Sequence, residues 1–189
     1  PEMITDLGYA FATTSYSVNG LAVRAGIADL LDLVDIFRQA HGQPEHVFLV
    51  GPSEGGLITA LAVEQYPDVF DGGLSACGPV GDFKAQINYW GDYRNLFDYF
   101  YPDLVPGSAI EIPQSVIANW DDVYENQVRD VLQNDAELRK QLLRTARVPA
   151  APADTERTID AMVQLMWYSV FATNDGVEKL GGQPYDNRG

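Results

Sequence analysis

The sequence predicts an α/β protein, with parallel strands joined by helical crossovers and a mainly helical second part. Three observations carry this. A tight glycine-rich turn, Gly51-Pro52-Ser53-Glu54-Gly55-Gly56, lies between a strand-like run, His46 to Val50, and a helix-like run, Leu57 to Tyr66. Strand-like and helix-like segments alternate from Gly8 to Ala76. After Gly78-Pro79 the strand pattern stops, and aromatic, helix-periodic sequence takes over.

Taken in order, Gly8 to Thr14 is rich in strand formers and reads as a buried strand. Residues 21–40 place Val23, Ile27, Leu30, Leu31, Val34 and Phe37 on one helical face. Gly42 and Pro44 end that helix. The strand at 46–50 follows, then the helix behind Ser53, stopped by Pro67. Phe70 to Ala76 is the third strand. This rhythm requires parallel pairing, because each connection is long enough for a helix. Residues 83–101 are dense in aromatics, among them Tyr89, Trp90, Tyr93, Phe97 and Tyr101. They read as the core of the second part or as the lining of an apolar pocket. Helices are expected at about 115–132, 135–146 and 154–172. Asp154 is placed to cap the last one, whose stripe is Ile159, Met162, Val163, Met166 and Val170. The end, 181–189, has loop composition. The domain boundary therefore falls at residue 80, giving a strand-containing part at 1–80 and a helical part at 81–189.

Composition narrows the classes of function. The chain has 189 residues, 46% hydrophobic, and a net charge of −15 with only 12 Lys and Arg. That balance argues against nucleic acid as a partner, since phosphate binding needs a basic patch. It fits a solvated acidic surface. No apolar run reaches the ~18 residues of a membrane span. Cys77 is the single cysteine, so no intrachain disulfide forms and the compartment is not readable from it. The low lysine count (Lys84, Lys140 and Lys179) is compatible with secretion without deciding it. One cysteine and two early histidines make no metal-ligand spacing, and no cofactor motif is present.

The turn at Ser53 carries the chemistry. A strand, a small-x-Ser-x-small-small turn and a helix make a nucleophile elbow, in which the serine backbone is strained and its Oγ stands above the sheet. Side chains at Gly51 or Gly55 are expected to collide with such a turn, and Gly56 completes the glycine set. A serine hydroxyl needs a general base to become a nucleophile. The oxyanion formed on attack needs N–H donors, and the backbone N–H of Glu54 at the helix start is placed to be one. The Glu54 side chain itself is expected to be a solvated helix-start carboxylate, the alternative being a pairing with a substrate cation or a hydrogen bond in the pocket.

These residues resemble the α/β-hydrolase superfamily, in particular serine esterases, lipases and peptidases with a helical cap. The resemblance covers roughly residues 8–76. It implies that Gly8 to Ser15, Val47 to Val50 and Gly72 to Ala76 are the fourth, fifth and sixth strands of that fold. It makes Ser53 the nucleophile and the Glu54 N–H an oxyanion donor, and puts a cap over the site from about residue 81. Serine rather than aspartate at position 53 favours an acyl-enzyme route.

The chain departs from the family pattern in two ways. The triad order is Ser, then Asp or Glu, then His, yet His41 and His46 both precede Ser53 and no histidine follows it. Both are read as surface or packing residues. Asp68, Asp71, Asp82, Asp92, Asp98 and Asp175 follow Ser53, but none occupies the triad acid's place; they are read as caps, loop residues or surface charges. The family's first three strands are also missing ahead of Gly8. The third belongs between the strands at 9–15 and 46–50, so its absence leaves open edges. The resemblance therefore implies a piece of a longer hydrolase, completed by the rest of the same protein or by a second copy. The expected substrate is an ester or a peptide, with the isolated chain inactive. The alternative is a non-catalytic relative that binds a small molecule or a protein partner.

Overall fold

The computed structural model describes residues 2–151 and 153–184. Residues 185–189, part of the expected terminal loop, lie outside the described residues. The chain forms two compact units, the first closing at Asp82 and the second opening at Phe83.

The first unit contains helix α1 (Glu2–Asp6), helix α2 (Val23–His41), strand β1 (Phe48–Pro52), helix α3 (Glu54–Gln65) and strand β2 (Gly72–Ala76). The strands pair in parallel, with Phe48 opposite Gly72 and Gly51 opposite Ser75. α3 is the crossover between them. Ile27 and Val34 from α2, Ile58 and Ala62 from α3, and Phe70 form the buried core, with Val47, Leu49, Leu30 and Leu31 packed against it. The apolar stripe of α2 is thus the one its sequence periodicity marks out from Val23 to Val34, while the Phe37 ring packs on His41. Gly42, at φ 87°, ends α2 by donating its N–H to the Arg38 carbonyl.

The expected strand at Gly8 to Thr14 does not form. The segment is irregular, with Tyr9 58% and Phe11 51% exposed. A strand exists only through ladder bonds to a neighbour, and among the described residues nothing pairs with it. Strand propensity without a partner leaves an extended, solvated chain.

The second unit is helical: α4 (Phe83–Phe100), α5 (Gln114–Ala118), a π-helical turn (Trp120–Tyr124), α6 (Glu125–Asn134), α7 (Ala136–Thr145) and α8 (Thr155–Leu180). Tyr93, Phe97 and Tyr101 join Trp120, Leu132, Leu142, Met162 and Met166 in its core. Most of the aromatic run is therefore packing, although Tyr99 is exposed. The single helix expected at 115–132 is broken instead. Asn119 leaves helical geometry at φ −119°, its side-chain amide donates to the Ser115 carbonyl, and the π turn carries Trp120 inward against Phe171. The last helix runs beyond 172 because its buried stripe continues through Thr173 and Gly176. It stops at Gly181 in the left-handed conformation. The Asp154 carboxylate caps its start, accepting the Arg157 N–H at 3.0 Å.

Candidate active site

Ser53 sits where β1 ends and α3 begins, at φ 54° and ψ −125°. Few non-glycine residues adopt such a conformation, and it stores on the order of 1–3 kcal/mol that the surroundings must hold. Those surroundings are visible. The Ser53 N–H donates to the Ala76 carbonyl at 2.9 Å, carrying the ladder one residue past β1. The Ser53 carbonyl accepts the N–H groups of Gly56 at 2.8 Å and Leu57 at 3.3 Å, which starts α3. The backbone of Ser53 is thus tied to the sheet on one side and to the helix on the other.

A serine at a helix N-cap usually spends its hydroxyl on the N–H groups of the first turn. Ser53 does not: its side chain makes no capping bond, and the residue is exposed. The N–H groups of Glu54 and Gly55 have no acceptor among the described residues. A free hydroxyl and free helix-start donors therefore stand together at the C-terminal edge of the sheet.

The glycines divide differently from the expectation. A Cβ on Gly51 would lie 2.1 Å from the Gly55 carbonyl oxygen and 2.7 Å from Thr59 Oγ1, so this position admits no side chain. A Cβ on Gly56 would meet Ser75 Oγ at 2.8 Å and Gly78 Cα at 2.9 Å. At Gly55, however, the nearest atom is Pro52 Cδ at 3.7 Å, an ordinary contact. The expected collision at Gly55 is absent, and Gly56 shares the close packing with Gly51. Ser75 and Thr59, which press on these glycines, are residues that sequence reasoning missed. Their part depends on pairing register and helix height, neither of which leaves a local sequence signal.

The expectation of a solvated Glu54 side chain is also corrected. Its Oε1 accepts the Ala22 N–H at 2.6 Å in a part-buried position, linking the turn to the start of α2. Beside it, the Tyr16 ring packs against Gly26. Burial first, then the Glu54 and Asp29 carboxylates, push the Tyr16 hydroxyl above its ordinary pKa.

Neither histidine approaches Ser53. His46 lies before β1, at the other end of the strand, roughly 20 Å away at the rise of a strand residue. Its Nδ1 is 3.1 Å from Asp71 Oδ1. Asp71 Oδ2 accepts the Val47 N–H at 2.7 Å. That backbone bond first, and the His46 ring second, hold the Asp71 carboxyl below the usual carboxylate range. His41 is the last residue of α2 rather than part of the loop after it, with its ring against Phe37. The start of α2 is bonded to Glu54, so His41 stands a helix length of roughly 28 Å from that contact. A nucleophile and its base must be within about 3 Å.

Asp98 is not a plain surface charge. It takes a two-oxygen hydrogen bond from Nε of the fully buried Arg94 at 2.8 and 2.9 Å. Arg94 Nη2 donates to the Val105 and Pro106 carbonyls. In the same helical unit, Trp90 stacks on Tyr168 at 4.8 Å, and with Tyr89, Pro149 and Leu165 they line an open cavity of about 310 Å³. Among the described residues, no group of three His, Cys, Asp or Glu side chains could hold a metal ion, and no helix is long and apolar enough to cross a membrane.

A parallel strand, a strained serine and a helix whose first N–H groups are free define an α/β protein with an exposed serine at the C-terminal edge of its sheet. Residues 22–158 match the family model described as serine aminopeptidase, S33, and the chain belongs to this α/β-hydrolase family. The family indicates a hydrolase activity. No curated protein and no solved structure matches the chain.

Proposed function

We propose that this chain carries the nucleophile of a serine hydrolase that cleaves carboxylic esters or amides through an acyl-enzyme on Ser53. The observation that carries the reading is the positive φ of Ser53 combined with a hydroxyl that caps nothing and faces solvent. Ser53 Oγ attacks the substrate carbonyl carbon while its proton passes to a general base. The negative oxygen of the tetrahedral intermediate is held by the Glu54 N–H, at the positive end of α3. Collapse expels the alcohol or amine, which takes up the proton, and water then releases the acid. The family's description names aminopeptidases, so the amide after a free N-terminal residue is the first substrate to try.

The base is a histidine from polypeptide beyond these residues. The distances of His41 and His46 from Ser53 support this. The sheet supports it too. Phe48, Val50 and Leu74, which line the face turned away from α3, are 56%, 70% and 62% exposed. Parallel sheets are covered on both faces, so the reading has further strands and helices, from the same protein or a second copy, completing the core. The helical unit from Phe83 onward takes the part of the cap.

A fluorophosphonate probe tests the reading. Full-length protein should be labelled at Ser53, Ser53→Ala should not, and the 189-residue chain alone should react far more slowly. Equal labelling of the Ser53→Ala variant would contradict the assignment. A second reading, a non-catalytic relative that binds a small molecule or a partner, is favoured by the remoteness of both histidines. Full-length protein that binds substrate analogues but never forms the adduct would support it.

A further inference from the structure

We propose that the Glu54 side chain is a positioning residue: its carboxylate, bonded to the Ala22 N–H, aims the Glu54 backbone N–H at the oxyanion. This rests on the serine-hydrolase reading above and adds a role for a side chain that the family pattern does not specify.

A glutamate at the first position of a helix ordinarily needs no partner, since the helix start and water both satisfy it. Here the carboxylate instead reaches a backbone 32 positions earlier in the chain, at 2.6 Å, the length of a strong charge-assisted bond. Its partner is a demanding one. Ala22 is 2% exposed and is the N-cap of α2. A buried helix-start N–H without an acceptor is costly, and Glu54 supplies the acceptor. The carboxylate therefore stands at the positive ends of two helices, its own α3 and α2. Two other titratable groups lie at this corner, the Tyr16 hydroxyl and Asp29, whose Oδ2 accepts the Ser17 N–H at 2.7 Å, and Arg24 stands exposed in the first turn of α2. Asp29 is thus already occupied in tying down the segment before α2.

The consequence for Ser53 follows from connectivity. The Glu54 N–H and the Glu54 side chain leave the same Cα. The peptide plane carrying that N–H is held at its oxygen, where the Ser53 carbonyl accepts the Gly56 and Leu57 N–H groups; the bond to Ala76 holds the plane before it. Its Cα begins α3, and the Ala22 bond adds a tie from this first residue to the start of α2, which fixes where the first turn of α3 sits. Cutting that bond leaves α3 formed, because the Ser53 carbonyl still starts the helix, and lets its first turn, with the Glu54 N–H on it, shift against the sheet that holds the Ser53 N–H. An oxyanion donor is effective only when preorganised, so such a shift slows the chemical step more than it weakens encounter with the substrate.

The test compares wild type, Glu54→Ala, Glu54→Asp, Glu54→Gln and Ser53→Ala in full-length protein. A fluorophosphonate serves as probe; Ser53 Oγ bonds to phosphorus as fluoride leaves and the hydroxyl proton goes to the base. Glu54→Ala should lower the maximal inactivation rate by about tenfold, with the probe's apparent dissociation constant unchanged within about twofold. Glu54→Asp, one methylene too short to reach Ala22, should resemble it. Glu54→Gln keeps the acceptor oxygen and should recover most of the rate. Hydrogen exchange should show the Ala22 amide losing protection in Glu54→Ala while amides from Ile27 to Phe37 keep theirs. Wild type labelled at Ser53 with Glu54→Ala equally fast would overturn this inference alone. So would Glu54→Gln as slow as Glu54→Ala, or protection lost along the whole of α2, which would make the residue purely structural. Wild type that labels no faster than Ser53→Ala would bring down the hydrolase reading and this inference together.

Discussion

Replacing Gly51 by alanine should destabilise the protein by about 3 kcal/mol, whereas the same change at Gly55 should stabilise it by about 0.5–1 kcal/mol. Neither glycine has a positive φ, so the difference is one of space. The added methyl at residue 51 would stand 2.1 Å from the Gly55 carbonyl oxygen and 2.3 Å from its carbon. Ordinary carbon contacts lie near 3.5 Å, so α3 would have to lift by more than about 1 Å. The obstacle is backbone in the first turn of a helix packed on the sheet. No rotamer change relieves it, which puts the loss at the upper end of the overpacking range. Lifting that turn also moves the Glu54 N–H, so Ser53 labelling in full-length protein should fall by roughly a hundredfold. At Gly55 a methyl finds only Pro52 Cδ at 3.7 Å and gains by restricting the unfolded chain inside a helix. Urea denaturation with the slope held constant gives both values. Gly51→Ala within about 0.5 kcal/mol of wild type, or Gly55→Ala as the less stable of the two, would show that space at these glycines does not govern stability.

Three further outcomes are expected. Burial, with Asp135 adding to it and Arg139 opposing, raises the Tyr101 hydroxyl to about 12 from 10.0. Stability linked to it is complete below pH 10 and is lost as pH rises toward 12, by roughly 2–3 kcal/mol; Tyr101→Phe should remove that share, read by denaturation across this range. The Asp71 carboxyl is depressed instead, so its contribution is present above about pH 4 and is lost on acidification; wild type should lead Asp71→Asn in stability at pH 6 and lose that lead by about pH 2. Arg94→Met should destabilise by about 3 kcal/mol or more, because it strands Asp98 and the Val105 and Pro106 carbonyls, and Arg94→Lys, lacking the planar fork, should recover little of it in thermal unfolding.

The parts of the molecule that could be read from the chain are those governed by near neighbours. A glycine-rich turn between an apolar run and a helical pattern leaves little choice of local conformation, and Ser53 has the strained geometry such a turn demands. The helical stripe of α2, the cap at Asp154 and the stop at Gly42 are equally local, each decided within a few residues. The break at Asn119 was not legible, because the periodic pattern of 115–132 runs through it and only the burial of Trp120 against Phe171 shows why the helix yields.

Periodicity and turn chemistry act at short range, and they alone suffice for the class, the strand–turn–helix at Ser53 and the mainly helical second unit. Whether Gly8 to Thr14 is a strand, which glycine tolerates a side chain, and where Glu54 and Arg94 send their charges became visible only in the folded chain. Those outcomes depend on groups far away in the chain: an absent ladder neighbour, the Gly55 carbonyl standing over Gly51, the Ala22 N–H, and the carbonyls of a loop. A residue's propensity is carried in its own side chain, but its hydrogen-bond partner and its free space are set by whatever the fold brings beside it.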